Sequence, residues 1–314
     1  MFLDSDDLFE KDLIEKMLQQ ITVDDADMCI CNVDQYNTET GEYIPKSQYL
    51  RISCIPEIIP FSRREIGKDI LHFTSLVPWN KMFRRGFIDE HQLCFQDIQR
   101  ANDQYFSILA LVLAERITVV NKILVHYRVK QKGNLTTEFS DTPLCSYEAM
   151  VKAKDALEDI GLMNEEDVRC SFDNKALNIM IFSLNIQNTT NGYKTLYDTL
   201  TQGGFERLGL ILRDKEYYND PLEYENFKKI LDMTYDEYLL AKNREYRETI
   251  ARKNELVKEK NSQIRSLKKI EREYEAVKKR KWYRAVNKVL PIYSAMIKPF
   301  KKTKPEGKTG QDED

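Results

Sequence analysis

Three carboxylates lie within four residues near the start of the chain, where "MFLDSDD" places Asp4, Asp6 and Asp7 directly after three apolar residues. Two aspartates at positions i and i+2 of a strand or turn point the same way, so Asp4 and Asp6 can approach one divalent cation. Mg²⁺ and Mn²⁺ prefer oxygen ligands and often bridge to substrate phosphates. A solvated acidic turn before the next helix is the alternative, because acidic turns are common.

Two known uses of closely spaced aspartates fit this sequence less well. An EF-hand calcium loop needs a third oxygen ligand and then a glycine where this chain has Leu8 and Phe9, so the sequence excludes it. A phosphohydrolase of the haloacid dehalogenase type has Thr or Val four residues after its first aspartate. This chain has Leu8 there, which disfavours that class.

The segments around these aspartates predict an α/β arrangement. "LFEKDLIEKMLQQI" and "NDQYFSILALVLAE" have the apolar spacing of helices, the second with Asn102 or Asp103 as its N-cap. "ADMCICNVDQY" and "RITVVNKILVHYRV" are typical of strands. Residues 1–3 are expected to form a strand that ends at the aspartates. "SLVPWNKMFRRGFID" predicts a short strand or loop followed by a turn at Gly86.

The charge of the chain is unevenly distributed. Residues 239–314 contain 22 Lys and Arg against 11 Asp and Glu, whereas residues 1–238 contain 26 against 40. This difference predicts an acidic globular part and a basic tail with an anionic partner. The six cysteines lack CxxC spacing and are expected to be free thiols in a reducing cytoplasm. No apolar stretch is long enough to predict a transmembrane helix.

The second half of the sequence is predicted to be helical. Helices are expected over residues 146–235, and a long charged helix follows from about Glu237. Its apolar residues recur every seven positions, as in a coiled coil, but lysines fill two of the core positions. A lone exposed helix and a weak homo-oligomer through this helix both remain open. Pro291 and Pro299 are expected to interrupt the basic segment beyond it.

Four segments of the chain resemble, in the same order, those of family 2 glycosyltransferases with the GT-A fold. "MFLDSDDLFEKDLIEKM" is similar to the family segment in which an apolar strand ends in Asp-x-Asp and a helix follows. "PWNKMFRRGFID" resembles the acceptor-side segment, and "NDQYF" resembles the acidic pair that opens a helix. "AERITVVNKILVHYRVKQKGNLT" is similar to the closing strand and Tyr-Arg loop. The resemblance covers about residues 1–140.

The resemblance implies an α/β fold class and a division of the chain. The fold is expected to be the C-terminal part of a GT-A type mixed sheet with flanking helices, followed by an all-helical region and a long charged C-terminal helix. The expected regions are a partial catalytic domain at 1–140, a helical region at 141–236, a charged helix or weak coiled coil at 237–281, and a basic amphipathic segment with a disordered tail at 282–314.

The family has a nucleotide-binding half before the Asp-x-Asp strand, and we expect that half to be missing here. At ~30 residues per strand–helix–strand unit, it would comprise on the order of 90 residues. Met1 is therefore expected to be an internal methionine of a longer protein, through a misplaced start, a truncated gene or a half supplied by a partner. By itself this chain is expected to be inactive or nearly so.

The resemblance also implies a metal-dependent, inverting transfer of a sugar from a nucleotide-sugar donor to a glycan or lipid-linked acceptor. A Mn²⁺ or Mg²⁺ ion held by Asp4 and Asp6 would neutralise the departing diphosphate. Asp103 would take the proton from the acceptor hydroxyl. Asn102 departs from the family pattern, which usually has Glu there. Helix capping by Asn102 and Asp103 is the alternative.

Other polar side chains are candidate ligands in the same resemblance. Asn80 and Lys81 belong to the acceptor-side segment, and Trp79 beside them is either a packing residue or a platform for a sugar ring. In "VHYRV", His126 could ligate the metal or touch the diphosphate, and Arg128 could offset phosphate charge. A purely structural role is the alternative for each.

Basic and large apolar residues are interleaved in residues 278–308, which contain 11 Lys and Arg and one Glu. Trp282 and Tyr283 are side chains that an interfacial segment buries beside anionic lipid, so a membrane surface is favoured over nucleic acid, which is not expected as a partner. We expect a cytoplasmic protein attached peripherally to the inner face of the cytoplasmic membrane. A catalytically inactive interaction or membrane-docking module derived from a glycosyltransferase is the alternative function.

Overall fold

The computed structural model describes residues 1–129 and 142–297. The chain divides into two compact units, the first being Met1–Tyr238 and the second beginning at Leu239. Among the residues described, no helix is both long enough and apolar enough to span a membrane. The predicted loop after Val129 and the end of the basic tail lie outside the described residues, and the predicted domain boundaries stay predictions.

A five-stranded mixed sheet lies at the centre of the first unit. Its strands are β1 (Leu8–Phe9), β2 (Met28–Asn37), β3 (Tyr43–Pro45), β4 (Lys81–Phe83) and β5 (Ile117–Val129). The order is β1-β5-β2-β3, and β4 also pairs with β2. β2 and β5 are parallel, whereas β1, β3 and β4 join them antiparallel. The two long predicted strands are confirmed, the second of them as one continuous strand.

Side chains of β2 alternate between two apolar cores, because successive residues of a strand point to opposite faces. Met28 and Ile30 belong to the larger core, whereas Cys29, Cys31 and Val33 belong to the smaller one. All five side chains are buried. Burial of both faces explains why this strand reads as a nearly continuous apolar run.

Four helices accompany the sheet: α1 (Leu13–Val23), α2 (Arg63–Ile66), α3 (Arg85–Glu90) and α4 (Asn102–Leu113). α1 is amphipathic and buries one residue per turn in the smaller core: Leu13, Met17 and Ile21. α4 instead packs in the larger core, where residues 106–112 are all buried. The sheet is therefore covered by a different helix on each face.

Further helices follow the sheet, as the sequence predicted. They are α5 (Cys145–Asp159), α6 (Glu166–Ile186), α7 (Thr190–Thr199), α8 (Phe205–Arg207) and α9 (Pro221–Asp232). α5 packs against α4, and α6 contributes Phe172 and Met180 to the larger core. The helical region thus shares its core with the sheet.

Two long helices complete the described chain. α10 (Tyr235–Lys278) continues beyond Tyr238 into the second unit, and α11 (Lys281–Ile297) follows it. The apolar residues at the predicted coiled-coil positions of α10 are exposed in the single chain: Ile250, Val257 and Ile264. The predicted interruption at Pro291 is wrong, because α11 continues through it; a proline removes one helical hydrogen bond but can kink a helix without ending it.

Three local predictions near the candidate site are also wrong. Residues 1–3 form no strand, because the edge of β5 is paired instead with β1, whose Leu8 lies opposite His126. Gly86 lies inside α3 and not in a turn. The N-cap of α4 is Ala101, which has a left-handed backbone (φ 57°) and makes no side-chain capping bond. Asn102 and Asp103 are therefore the first residues of the helix and not its cap.

Candidate active site

Asp4, Asp6 and Asp7 form a compact acidic group on the loop before β1. A carboxylate oxygen from each lies within 4.8 Å of the corresponding oxygens of the other two. The N–H of Asp7 donates to the carbonyl oxygen of Asp4 at 3.3 Å, which closes a turn. Arg128 anchors this turn to the end of β5: its N–H donates to Oδ1 of Asp7 at 2.9 Å, and its Nε donates to the carbonyl oxygen of Asp6.

Asp7 is the most buried member of the acidic group. It is 7% exposed, and its Oδ2 has no hydrogen-bond partner among the residues described. Burial raises the pKa of Asp7 to about 6; the charges of Asp6 and Asp4 act in the same direction, and the Arg128 N–H acts against them. Burial and the Asp6 charge also raise the pKa of Asp4. An unpartnered carboxylate oxygen among like charges is a fitting ligand set for Mg²⁺ or Mn²⁺.

Aromatic packing connects the acidic loop to α4. The ring of Phe2 lies against Phe83 of β4 and Phe106 of α4, with centroid distances of 6.1 and 5.4 Å. Phe106 is one helical turn after Asp103, so the two side chains lie on the same side of α4. Asp4 is close enough to raise the pKa of Asp103. The fold therefore brings Asp103 within electrostatic reach of Asp4, although the two are far apart in the sequence.

Burial is the main influence on Asp103. It raises the pKa of the Asp103 carboxyl, while the backbone N–H groups at the start of α4 and the Lys81 ammonium lower it. A carboxylate with a raised pKa is a stronger base than a solvated one. Asn102 beside it is exposed. The geometry is thus compatible with a base at Asp103 and a polar contact at Asn102.

Asn80 and Lys81, both predicted to contact substrate, are fully buried. The ammonium of Lys81 donates to the carbonyl oxygens of Ser75 and Val77 at 2.8 and 2.7 Å and to Oδ1 of Asn80 at 2.9 Å. Nδ2 of Asn80 in turn donates to the carbonyl oxygen of Cys31 at 3.0 Å. Burial lowers the pKa of Lys81 to about 7, although its three acceptors favour the charged form. Here the pair organises the chain before β4, and Lys81 acts on Asp103 through its charge.

Trp79 is also enclosed by protein. Its ring stacks on Tyr127 with a centroid distance of 5.6 Å and an interplanar angle of 8°, and Tyr49 lies 5.3 Å away. Trp79 belongs to the smaller core. These contacts leave only 4% of Trp79 exposed, and its predicted contact with a sugar ring stays a prediction.

His126 is held by two carboxylates outside the acidic group. Its Nδ1 lies 2.6 Å from Oδ1 of Asp34, and its Nε2 lies 3.2 Å from Oε1 of Glu10. Within the described ranges, two groups of three side chains could each hold a metal ion, and His126 is in neither. The structure thus places Asp7, and not His126, beside Asp4 and Asp6.

The sequence did not predict Asp7 as a member of the metal-binding group or Asp34 as the partner of His126, for different reasons. The spacing argument pairs Asp4 with Asp6, because side chains at positions i and i+2 of a strand or turn point the same way. In the turn that forms here the neighbouring Asp7 converges on them as well. The uninterrupted acidic pair Asp6–Asp7 was the available signal for Asp7. Asp34 had none, because a single aspartate in a strand does not reveal its partner.

Comparisons with known proteins agree on one class. Residues 1–92 match the model of Glycosyl transferase family 2. The chain is 30% identical over 142 residues to "Putative glycosyltransferase EpsH" of Bacillus subtilis (strain 168), covering 41% of this chain and 36% of that protein. It is 24% identical over 144 residues to "Glycosyltransferase GlyA" of Streptococcus pneumoniae serotype 4, covering 45% of this chain and 20% of that protein.

A third relative is "Poly(ribitol-phosphate) beta-N-acetylglucosaminyltransferase TarS" of Staphylococcus aureus (strain Mu50), 24% identical over 151 residues, which cover 48% of this chain and 24% of that protein. The matched residues thus span between 20% and 36% of the length of these relatives. Crystal structures of S. aureus TarS 1–349, alone and with UDP-GlcNAc, give TM-scores of 0.48 and 0.47 at 17% and 16% identity. They cover 74% of this chain and 65% and 66% of those chains.

Proposed function

Because residues 1–92 match the model of Glycosyl transferase family 2, we propose that this chain carries the metal-binding and acceptor side of a glycosyltransferase site. The reaction is the transfer of a sugar from a nucleotide-sugar to a glycan or lipid-linked acceptor, with inversion at the anomeric carbon. One observation carries the proposal: Asp4, Asp6 and Asp7 converge in one acidic group, within the residues that match this family. The charge of Asp4 also reaches Asp103 and raises its pKa.

Asp4, Asp6 and Asp7 are the residues that would hold a Mn²⁺ or Mg²⁺ ion. When bound, the ion supplies positive charge that offsets the negative charge developing on a diphosphate leaving group. The free Oδ2 of Asp7 supports this assignment, because a buried carboxylate oxygen without a partner is costly. Arg128 positions the loop through its N–H and Nε, and its guanidinium is a candidate contact for donor phosphate.

Asp103 is the proposed general base. It accepts the proton of the acceptor hydroxyl while the acceptor oxygen forms a bond to the anomeric carbon and the bond from that carbon to the diphosphate breaks. A single displacement inverts the configuration. Burial raises the pKa of Asp103, which strengthens it as a base, and Lys81 opposes this shift and so favours the ionised form. Asn102, exposed at the start of α4, is a candidate acceptor contact.

Metal binding is the first test of this proposal. We expect the chain to bind Mn²⁺, measured by the loss of the free-ion signal in electron paramagnetic resonance. Asp6→Ala and Asp7→Asn, made separately, should each weaken binding by about tenfold or more, because each removes a charged ligand. Asp12→Asn is the matched control, since Asp12 is half-buried in the same segment, pairs with Lys16 and lies outside the acidic group. Equal Mn²⁺ affinity in all four proteins would contradict the ligand assignment.

Donor binding separates this function from that of an inactive interaction module. Calorimetry with a panel of nucleotide-sugars should give binding that depends on Mn²⁺. UDP-GlcNAc is the first probe, because the relative TarS is named as an N-acetylglucosaminyltransferase. Metal-dependent binding that is lost in Asp6→Ala supports the transferase site. A chain that binds none of the panel in Mn²⁺ would favour the inactive module.

The second unit suggests a membrane surface as a further partner. Its helix α11 exposes several large apolar side chains: Trp282, Val286, Val289 and Leu290. Lys281, Arg284 and Lys288 are interleaved with them and are exposed or half-buried. An amphipathic basic helix buries its apolar residues at the headgroup boundary while its cations meet anionic lipid. We propose a cytoplasmic protein held peripherally at the inner face of the cytoplasmic membrane, where a lipid-linked acceptor would lie.

A further inference from the structure

A polar cavity of about 250 Å³ lies in the first unit. Its walls include Arg51 and His72 from the region before β4, Lys175 and Asn178 from α6, and Glu223 from α9. In the part of the chain that the structure describes, none of the aspartates proposed for metal binding or catalysis lines this cavity. The cavity therefore has its own lining residues, although the charge of Lys175 reaches Lys81 and lowers its pKa.

Two cations, Arg51 and Lys175, line the same cavity with donors to spare. Nη1 of Arg51 lies 3.0 Å from Nε2 of His72; a guanidinium can only donate, so His72 accepts and its ring is neutral. Nε of Arg51 is buried and has no partner within the described ranges. The ammonium of Lys175 has the carbonyl oxygen of Thr74 at 3.5 Å, at the outer limit of a hydrogen bond. Nε of Arg51 has almost no accessible surface, so Arg51 offers a ligand in the cavity its Nη groups and Lys175 offers its ammonium.

The pKa values of the basic groups in the cavity also indicate positive charge there. Burial, followed by the charge of Arg51, lowers the pKa of Lys175 to about 8, and Glu223 opposes this effect. Burial and the same two cations lower the pKa of His72, while Asp69 raises it. The carboxylates of Asp220 and Glu223 also line the cavity and offset part of this charge. An anion that contacts Arg51 and Lys175 directly would relieve the repulsion between these two cations.

The remaining polar groups of the cavity suit hydroxyl groups. Glu223 accepts a hydrogen bond from Asn178, and a carboxylate can accept more than one. Asn174 keeps the wall in place, because its Nδ2 donates to the carbonyl oxygen of Tyr217 at 3.0 Å and its Oδ1 accepts from the N–H of Asn219 at 2.7 Å. The cavity thus combines anion-binding cations with acceptors for hydroxyl protons.

We infer that this cavity binds one anionic, hydroxyl-bearing unit, a sugar or polyol that carries a phosphate or carboxylate group. Arg51 and Lys175 bind the anionic oxygens, and Asn178 and Glu223 bind the hydroxyls. The volume suits a single such unit, because drug-sized ligands fill pockets of about 300 Å³ or more. The inference goes beyond the proposed sugar transfer and is tested by binding alone. The same chemistry is found in a free sugar phosphate and in a unit of an anionic glycan.

Calorimetry on the whole chain tests this inference with four probes: inorganic phosphate, glycerol 3-phosphate, glycerophosphoglycerol and glucuronate. At least one hydroxyl-bearing anion should bind about tenfold or more tightly than inorganic phosphate, a gain of about 1.4 kcal/mol. A preference for the phosphate monoester supports a free sugar phosphate as the source, and a preference for the diester or for glucuronate supports an anionic glycan. Absence of binding, or equal affinity for all four probes, would overturn the inference.

Substitutions locate the binding in this cavity. Arg51→Gln and Lys175→Gln, made separately and checked by thermal unfolding, should each weaken binding by about tenfold, because each removes a charged donor. Arg51→Lys keeps the charge without the planar fork and should retain part of the affinity. Lys228→Gln, on the exposed side of α9, is the control and should leave affinity unchanged. Folded glutamine variants that bind as tightly as the parent would show that the inference is wrong.

Discussion

The two tryptophans of the chain lie one in each unit and have opposite surroundings. Trp79 is 4% exposed and stacks on Tyr127 in the smaller core, whereas Trp282 is 57% exposed on α11 and contacts Tyr283. The same side chain thus contributes its apolar surface to folding in the first unit and leaves it in water in the second. Buried apolar surface stabilises a fold, and exposed apolar surface is available to a partner.

Ionisable groups differ between the units in the same way. In the first unit, burial is the main cause of the raised pKa of Asp7 and Asp103 and of the lowered pKa of Lys81. In the second unit, Glu275 and Lys278 lie on the surface, and their hydrogen bond to each other is the main cause of their shifts. Ionisable groups with pKa values shifted by burial are typical of functional sites, whereas many solvated charges together attract an oppositely charged partner.

The largest expected effect distinguishes the half-buried carboxylate of Asp103 from a carboxylate on the surface. Asp103→Asn should lower the rate of sugar transfer by ~10² to 10⁴, because general-base catalysis is typically worth that much. Donor affinity should change little, since the amide keeps the shape of the side chain. The measurement is a turnover assay on a form of the protein that transfers sugar, with the donor and acceptor that this form uses.

Asp97→Asn is the control for this prediction, because Asp97 is exposed in the loop before α4. It should keep the parent rate. A fall of less than about tenfold in Asp103→Asn would indicate that Asp103 serves only the start of the helix.

The next prediction tests whether the second unit binds anionic lipid through its solvent-exposed Lys and Arg residues. A chain that ends at Ala276 should lose most of its co-sedimentation with vesicles of anionic lipid at low salt, because each Lys or Arg near such a surface contributes about 1 kcal/mol. Binding by the full chain should weaken as salt is added. Equal sedimentation of the two chains would rule out a membrane role for the tail.

A matched pair of substitutions separates α11 from the helix before it. Val286→Ser with Val289→Ser should weaken vesicle binding, since both residues lie on the exposed apolar part of α11. Leu256→Ser with Val257→Ser, equally exposed on α10, should leave binding unchanged. If only the substitutions in α10 weakened vesicle binding, the membrane contact would lie on α10 and not on α11.

A smaller effect concerns pH and the buried carboxyl of Asp7. Its folded pKa of about 6 is raised above the ordinary value of 3.8, so protonation stabilises the fold; this contribution is complete below about pH 3.8 and is lost as pH rises through about 6. Without metal, Asp7→Asn should therefore gain stability relative to the parent between pH 5 and pH 8. Thermal unfolding at both values measures the difference.

Binding of Mn²⁺ should be favoured by high pH, in contrast to folding stability, because only the ionised carboxylate of Asp7 binds metal. Parent affinity should fall about tenfold from pH 7 to pH 5. The Mn²⁺ affinity of Asp7→Asn, which is lower than that of the parent, should change less between these two pH values. A parent affinity that stays constant between these values would remove Asp7 from the ligand set.

The smallest effect compares the two tryptophans directly. Trp79→Phe should cost about 1 to 3 kcal/mol in the free energy of unfolding, because it removes buried ring atoms. Trp282→Phe should cost less than about 0.5 kcal/mol, as expected for a surface position. Conversely, the fluorescence of Trp282, isolated in Trp79→Phe, should shift to the blue on anionic vesicles. A stability loss in Trp282→Phe as large as that in Trp79→Phe would contradict the difference between the units.

The sequence by itself determined the features that depend on local spacing and composition. The long strands β2 and β5 were predictable because both segments are rich in strand-forming apolar and β-branched residues. The helix that carries Asp103, the acidic residues before β1 and the basic character of the C-terminal part were visible for the same reason. Each of these signals lies within a few neighbouring residues.

Tertiary structure alone decided which of these residues meet. Asp7 replaces His126 beside Asp4 because the loop turns and because Asp34 and Glu10 engage both ring nitrogens of the histidine. Lys81 is enclosed because backbone carbonyls converge on its ammonium. These outcomes depend on contacts between residues distant in the sequence, which no local pattern records, since packing of the whole core sets the distances.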